Sequence, residues 1–275
     1  MVSGIHPRRN AVESTPDPRI CETVSSWTSD HGIEGQTVIF SAHVATSSTV
    51  ESLRRKAPAP RQVPGLLSAR TAPAALANKK PYPSPQLSRE CMVACWEDER
   101  SIDRFLQDHP TGRALASGWT AKMQLIRAVG VWPGLDEDLT AEAGDRAKGY
   151  TGPTVAVTIG TAYLRTLLGF VRVNNGLEAQ FLDAPGAIWG TLMTNLGQRL
   201  VATLTIWENS KAAADYVRHG AHGRAVAEHF DPVRDPTGHT FVTGGGFFGF
   251  RPLEVTGGVG GRNPLEASML ADRVA

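Results

Sequence analysis

"VACWEDERSIDRFLQDHPTGRALASGW" (residues 93–119) lies without a gap over "LTIWENSKAAADYVRHGAHGRAVAEHF" (residues 204–230), and this repetition decides the fold. The offset is constant, 207 − 96 = 111. Trp96 matches Trp207, Glu97 matches Glu208, and Gly112-Arg113-Ala114 matches Gly223-Arg224-Ala225. Ile102, Phe105 and Leu106 fall against Ala213, Tyr216 and Val217, the spacing of one helix face in both copies. Upstream, "TVIFSAHV" (37–44) parallels "TVAVTIGT" (154–161) with a slightly different offset.

Each copy reads strand, helix, strand, strand, helix, strand, the split βαβ order of ferredoxin-like folds. In the second copy Leu164, Leu167, Leu168 and Val171 share a helical face. "AIWGTLM" (187–193) and "LVATLTIW" (200–207) are strand-like, and Asn209 or Ser210 can cap the helix that follows. "FFGFRPLEV" (247–255) is the last strand, and the glycines of "GGGFFGF" (244–250) read as a turn entering it. A four-stranded sheet with helices on one face leaves its other face apolar and bare, and two tandem copies bury those faces against each other. The expected fold is α+β: two tandem ferredoxin-like repeats pairing their sheets into an eight-stranded pseudo-dimeric α/β barrel. The expected organisation is a disordered tail (1–35), repeat 1 (36–132), a linker (133–152), repeat 2 with the cofactor or ligand site (153–262), and a C-terminal tail (263–275).

Composition is that of an ordinary globular chain, with 41% hydrophobic and 20% charged residues. A formal net charge of +1, and no basic run interleaved with aromatics, argue against a nucleic-acid partner. No apolar stretch is long enough to be a transmembrane segment, and the N-terminus lacks the apolar core of a secretory signal, so a cytoplasmic location is expected. Cys21, Cys91 and Cys95 are too few for a disulfide scaffold. Cys91 and Cys95 sit on one strand, beyond disulfide reach, and read as small buried hydrophobes.

The copies differ in histidine. Thr111 of the first stands where the second has His222, Asp108 where it has His219, and Gly118 where it has His229. His222, Ala225, Val226 and His229 share a helical face, and Val226 aligns with Leu115, so that face points to the core. Gly220 weakens the helix between His219 and His222. The neighbours of His222 are small (Gly220, Ala221, Gly223), which leaves room for a large flat ligand. Spacing alone fits a buried hydrogen-bonded histidine as well as a metal ligand. The three histidines cannot converge on one zinc ion from a single helix. Haem iron needs only one protein ligand.

The ordered series "TLTIWENSKAAADYV", "HGAHGRAVAEHF" and "FFGFRPLEVTGG", supported by "GPTVAVTIGTAYLRTLLGFVR" (152–172) and "ASGWTAKMQLIRAVGVWPG" (116–134), resembles the spheroidene monooxygenase family of the dimeric α/β-barrel superfamily over roughly residues 36–262. The resemblance implies a haem-dependent oxygenase that uses haem b, O2 and an external electron donor, with an electron-donor protein as a partner. It would oxidise a C–H bond of a small apolar substrate, a carotenoid or another metabolite, with membrane association through that substrate. His222 matches the position of the axial haem ligand. Arg224 and Arg251 are candidates for the haem propionates, though the match of Arg224 to Arg113 favours a structural salt bridge. Trp207 reads as core, and Trp189, which has no counterpart in the first copy, as core or as pocket lining. The superfamily also holds haem dehydratases and peroxidases, so the alternatives are another haem enzyme or a non-enzymatic haem or small-molecule binder. Residues 69–90 and 171–181 depart from the family pattern and are read as loops at the substrate entrance. Tandem fusion closes one barrel, and further oligomerisation is compatible with it.

Overall fold

The computed structural model describes residues 38–47, 51, 55–76, 89–135, 143, 146, 148–163, 180–219 and 242–266. The expected N-terminal tail, the helix expected over 164–171, and His222, Arg224 and His229 lie outside the described residues. The first repeat contributes β1 (Ile39–Thr46), β2 (Leu66–Leu76), β3 (Arg89–Trp96) and β4 (Trp119–Gly130), with α1 (Glu99–Asp108) and α2 (Pro110–Ala116) between β3 and β4. The second contributes β5 (Thr154–Ala162), β6 (Ala187–Asn195), β7 (Leu200–Trp207), α3 (Ser210–Arg218) and β8 (Val242–Thr256).

The strands close into one barrel in the order β1-β3-β2-β6-β7-β5-β8-β4, every pairing antiparallel. Each half keeps the split βαβ strand order, and the halves meet at the β2–β6 and β4–β8 seams. This is the tandem ferredoxin-like barrel expected from the repeat. The residues that define it alternate: Phe40, Ala42 and Val44 of β1 and Trp119, Ala121, Met123 and Leu125 of β4 line the interior. Inside, Phe40 lies 5.0 Å from both Trp132 and Phe250, and Trp132 lies 5.0 Å from Phe248. Aromatic pairs of this kind contribute roughly 0.5–1.5 kcal/mol each beyond their burial. They join the two repeats across the barrel. Ala143 and Leu265, from the segments flanking the repeats, are buried in the same core.

Both helix layers begin alike. Asp98 accepts from Ser101 N at 2.7 Å, and Asn209, its counterpart, accepts from Ala212 N at 2.8 Å. Both first helices also end alike. His109 is extended (ψ 135°), as a residue before proline must be, and His219 is extended at ψ 167° before Gly220. His219 therefore terminates α3.

Three local expectations are corrected. Gly244–Gly246 are not a turn but part of β8. A Cβ on Gly245 (φ +119°) would lie 1.9 Å from Ile159 O, and one on Gly246 would lie 2.2 Å from Val129 O. Glycine here lets three strand backbones close the seam. Residues 69–76, read as loop, belong to β2, where Ala72 and Ala74 pack inside the barrel. Pro73 is tolerated because it precedes the pairing with β6, which runs from Ala74 to Leu76. The upstream offset is also two residues smaller than "TVIFSAHV" over "TVAVTIGT" implies (154 − 37 = 117). Ile39 pairs with Trp96 and Thr154 with Trp207, so 154 − 39 = 115. A shift of two preserves which side chains face the core.

Candidate functional site

The two repeats provide an internal comparison of the space between helix and sheet. In the first it is filled. Trp96, Ile102, Phe105 and Leu115 are buried there, with the Trp96 and Phe105 rings 5.2 Å apart. A polar strip runs beneath them. Trp96 Nε1 donates to Ser41 Oγ at 2.8 Å, and His43 bridges Ser41 Oγ (2.8 Å) and Thr120 Oγ1 (3.0 Å) through its two ring nitrogens. A neutral imidazole, donating at one nitrogen and accepting at the other, satisfies both hydroxyls. Burial pushes the His43 pKa from 6.5 down to about 3, so it is neutral at physiological pH. Beside the strip, Lys122 Nζ reaches Asp103 on α1 at 2.7 Å and Glu254 on β8 at 2.8 Å.

The strand registers identify the counterparts. Ser41 pairs with Lys122 and Ala156 with Gly249, while His43 pairs with Thr120 and Thr158 with Phe247. Across the β4–β8 seam, Lys122 opposite Glu254 is mirrored by Gly249 opposite Arg127. On the helix, Ile102 and Asp103 become Ala213 and Ala214. Lysine, aspartate, isoleucine and histidine are thus replaced by glycine, alanine, alanine and threonine. The result is a cavity of about 760 Å³ between α3 and the outer faces of β5, β8 and β4.

Its floor includes Phe247, Gly249, Ala156 and Thr158, and Ala213, Ala214 and Val217 of α3 form a wall. The charged residues that line it, among those described, are Arg127, Lys211, Asp215 and Arg218. Lys211 and Asp215 pair with each other at 2.5 Å along α3. Arg127 and Arg218 make no ion pair among the described residues, and burial, then the charge of Arg218, hold the Arg127 guanidinium below its usual range. Tyr150 closes one end, its hydroxyl donating to Pro153 O at 2.5 Å and its carbonyl accepting from Ser210 Oγ at 3.1 Å. The volume and the mostly apolar lining suit one medium-sized ligand.

Of the residues singled out in the sequence, Arg251 is exposed with its guanidinium 5.3 Å from the Tyr150 ring centroid, one residue removed from the cavity. His219 is exposed on the opposite flank of α3, its Nδ1 donating to Asp215 O at 3.0 Å. Trp207 is buried against Phe181 and Tyr216, and Trp189 packs on the barrel core. Cys91 and Cys95 are buried and form no disulfide with each other. No cluster of His, Cys, Asp and Glu among the described residues could hold a metal ion.

His222 itself is not described, but its counterpart is. Thr111 lies one helical turn before the fully buried Leu115 on α2, so it is on the sheet-facing side and half-buried. Arg113, the counterpart of Arg224, donates to Asp108 O at 2.7 Å. It caps the end of α1 rather than joining a carboxylate.

The residues that shape the cavity were not singled out from the sequence. The exchange of Ile102 and Asp103 for Ala213 and Ala214 is visible in the aligned helices. Arg127, Arg218 and Gly249 become visible only through strand register and helix packing.

No protein-family model and no curated protein matches the chain. Solved structures do. An aldoxime dehydratase in complex with butyraldoxime is 9% identical, with TM-score 0.46 over 80% of this chain and 80% of that one. An anthrone oxidase-like protein is 11% identical, with TM-score 0.29 over 81% and 94%. A monooxygenase-like protein from Listeria innocua is 9% identical, with TM-score 0.30 over 78% and 95%. Likeness at this level carries nothing about reaction or ligand, and the strand order itself assigns the chain to the fold of two ferredoxin-like repeats closed into one barrel.

Proposed function

We propose that the cavity of the second repeat binds haem, that His222 would hold its iron, and that the protein is a haem-dependent monooxygenase of an apolar metabolite, similar to spheroidene monooxygenase. One observation carries the reading. The duplicated fold packs this space in the first repeat and opens it in the second, the repeat in which histidine replaces Thr111.

The described residues fit a flat, amphipathic prosthetic group. Phe247 offers an aromatic face, and Gly249 and the alanines of α3 allow close approach. Arginines at the cavity suit carboxylates. His222 follows four residues after Arg218, which lines the cavity. Haem would supply activation of O2 for insertion into a C–H bond, with electrons from an external donor such as a redox protein. The chain's own part is to position and to exclude. His222 would hold the iron, its second ring nitrogen oriented by a hydrogen bond. Phe247 and the α3 alanines would keep water from the reacting face and bind an apolar substrate.

The test is reconstitution with haemin followed by turnover. A Soret band, and product formed only with both O2 and reductant, support the monooxygenase. Product without O2 would indicate a dehydratase instead, and a bound haem without turnover would indicate a carrier or sensor. No haem binding refutes the reading.

A further inference from the structure

We infer that Arg127 and Arg218 form a carboxylate-binding subsite in the second-repeat cavity, taking the acid end of an otherwise apolar ligand. The inference rests on the reading of this cavity as a ligand site and adds the chemical class of what enters it. Both arginines line the cavity, one from β4 and one from the last turn of α3. They approach closely enough for Arg218 to destabilise the charge on Arg127. Both are exposed at the cavity's edge, where two like charges repel, and an anion between them would relieve that repulsion.

The pseudo-twofold sharpens the case. The counterpart of Arg127 is Glu254, which in the first repeat is neutralised by Lys122 at 2.8 Å. In the second repeat the lysine position is Gly249, so no side chain of the opposite strand answers Arg127. Asp215, the carboxylate among the described lining residues, is engaged by Lys211 at 2.5 Å and feels the charge of Arg218 more weakly. The described lining thus carries Arg127, Arg218 and, at the other end of α3, Lys211 against one carboxylate, while the floor carries Phe247, Gly249 and Ala156. That polarity selects an apolar body with an acidic terminus. A guanidinium takes a carboxylate through two parallel hydrogen bonds, which fixes orientation as well as affinity.

A haem propionate and a long-chain fatty carboxylate share this chemistry, and the test separates them. Binding to the full-length protein is measured for haemin and its dimethyl ester, by absorbance, and for cis-parinaric acid and its methyl ester, by fluorescence. Wild type, Arg127→Gln, Arg218→Gln, Arg218→Lys and the remote exposed Arg61→Gln are compared, with circular dichroism checking the fold. An acid that binds about ten- to a hundredfold more tightly than its ester supports the subsite. That preference should vanish in Arg127→Gln and Arg218→Gln and persist in Arg61→Gln, with Arg218→Lys retaining part of it. The pair of probes showing the preference identifies the source of the carboxylate. Acid and ester binding alike in wild type, or a preference surviving both glutamine variants, overturns the subsite and leaves the cavity reading standing. Failure of all four probes to bind wild type overturns both.

Discussion

Lys122 Nζ lies 2.7 Å from Asp103 Oδ1, fastening β4 to α1 across the same space that Gly249 and Ala214 leave open in the other repeat. One architectural position is a strut in one copy and a wall of a cavity in the other. One half of the duplicated fold is thus braced where the other half is open.

Rebuilding the strut should close the cavity. The double variant Gly249→Lys with Ala214→Asp restores the first-repeat pair at the equivalent positions. A Cβ on Gly249 would meet its nearest neighbour, Arg127 Cβ, at 3.3 Å, so the Arg127 side chain has to give by a few tenths of an ångström to admit it. Affinity for haemin should fall at least tenfold, a loss of roughly 1.4 kcal/mol or more. The melting temperature should hold or rise. Unchanged affinity with an intact fold would place the ligand elsewhere.

Acid should act on the first repeat through His43. Its folded pKa of about 3 lies below the unfolded value of 6.5, so the unfolded chain binds the extra proton between those values. Stability is full above pH 6.5 and is lost as pH falls toward 3, by roughly 1.4 kcal/mol for each unit separating the two values. Denaturant titrations of wild type and His43→Gln across this range should diverge, with the variant losing less on acidification. Parallel curves would mean that His43 does not carry the acid sensitivity.

Ser41 holds two buried partners, Trp96 Nε1 and His43 Nε2, each at 2.8 Å. Ser41→Ala leaves the indole N–H unanswered and should cost about 1–3 kcal/mol. Urea unfolding followed by tryptophan fluorescence measures this, and a change below about 0.5 kcal/mol would show the network to be dispensable.

The β8 glycines should be intolerant of a side chain. Gly245→Ala forces a Cβ against Ile159 O and into a left-handed backbone, and should lower the melting temperature sharply or abolish soluble expression. Gly260→Ala, also at positive φ (+61°) but with nothing within 4 Å, isolates the backbone cost and should be far milder. Equal effects would assign the whole penalty to φ rather than to barrel closure.

The barrel was legible because its signals are redundant. Trp96 and Trp207, Asp98 and Asn209, and the alternating apolar residues of β1 and β5 all report the same duplication. β2 was hidden because Ala72, Pro73 and Ala74 give no hydrophobic alternation, although small residues are what the interior there requires. Gly245 and Gly246 read as a turn because sequence cannot show whether a glycine serves a bend or a close approach. The cavity is made of what is missing from Ala213, Ala214 and Gly249, and missing atoms leave no motif. Its cations were hidden for a different reason: Arg127 acquires meaning only opposite Gly249 in a register that the chain does not announce. His222 is proposed from the sequence because a histidine standing where the first copy has Thr111, in an otherwise matched stretch, is a positive difference.

The most direct test of the central claim replaces that histidine and then restores its ring. Wild type, His219→Ala and His222→Gly are titrated with haemin, and His222→Gly is titrated again with free imidazole. The account predicts a Soret band in wild type and His219→Ala, a weakened and shifted band in His222→Gly, and recovery of the wild-type spectrum when imidazole is added. A His222→Gly spectrum and affinity identical to wild type would contradict it.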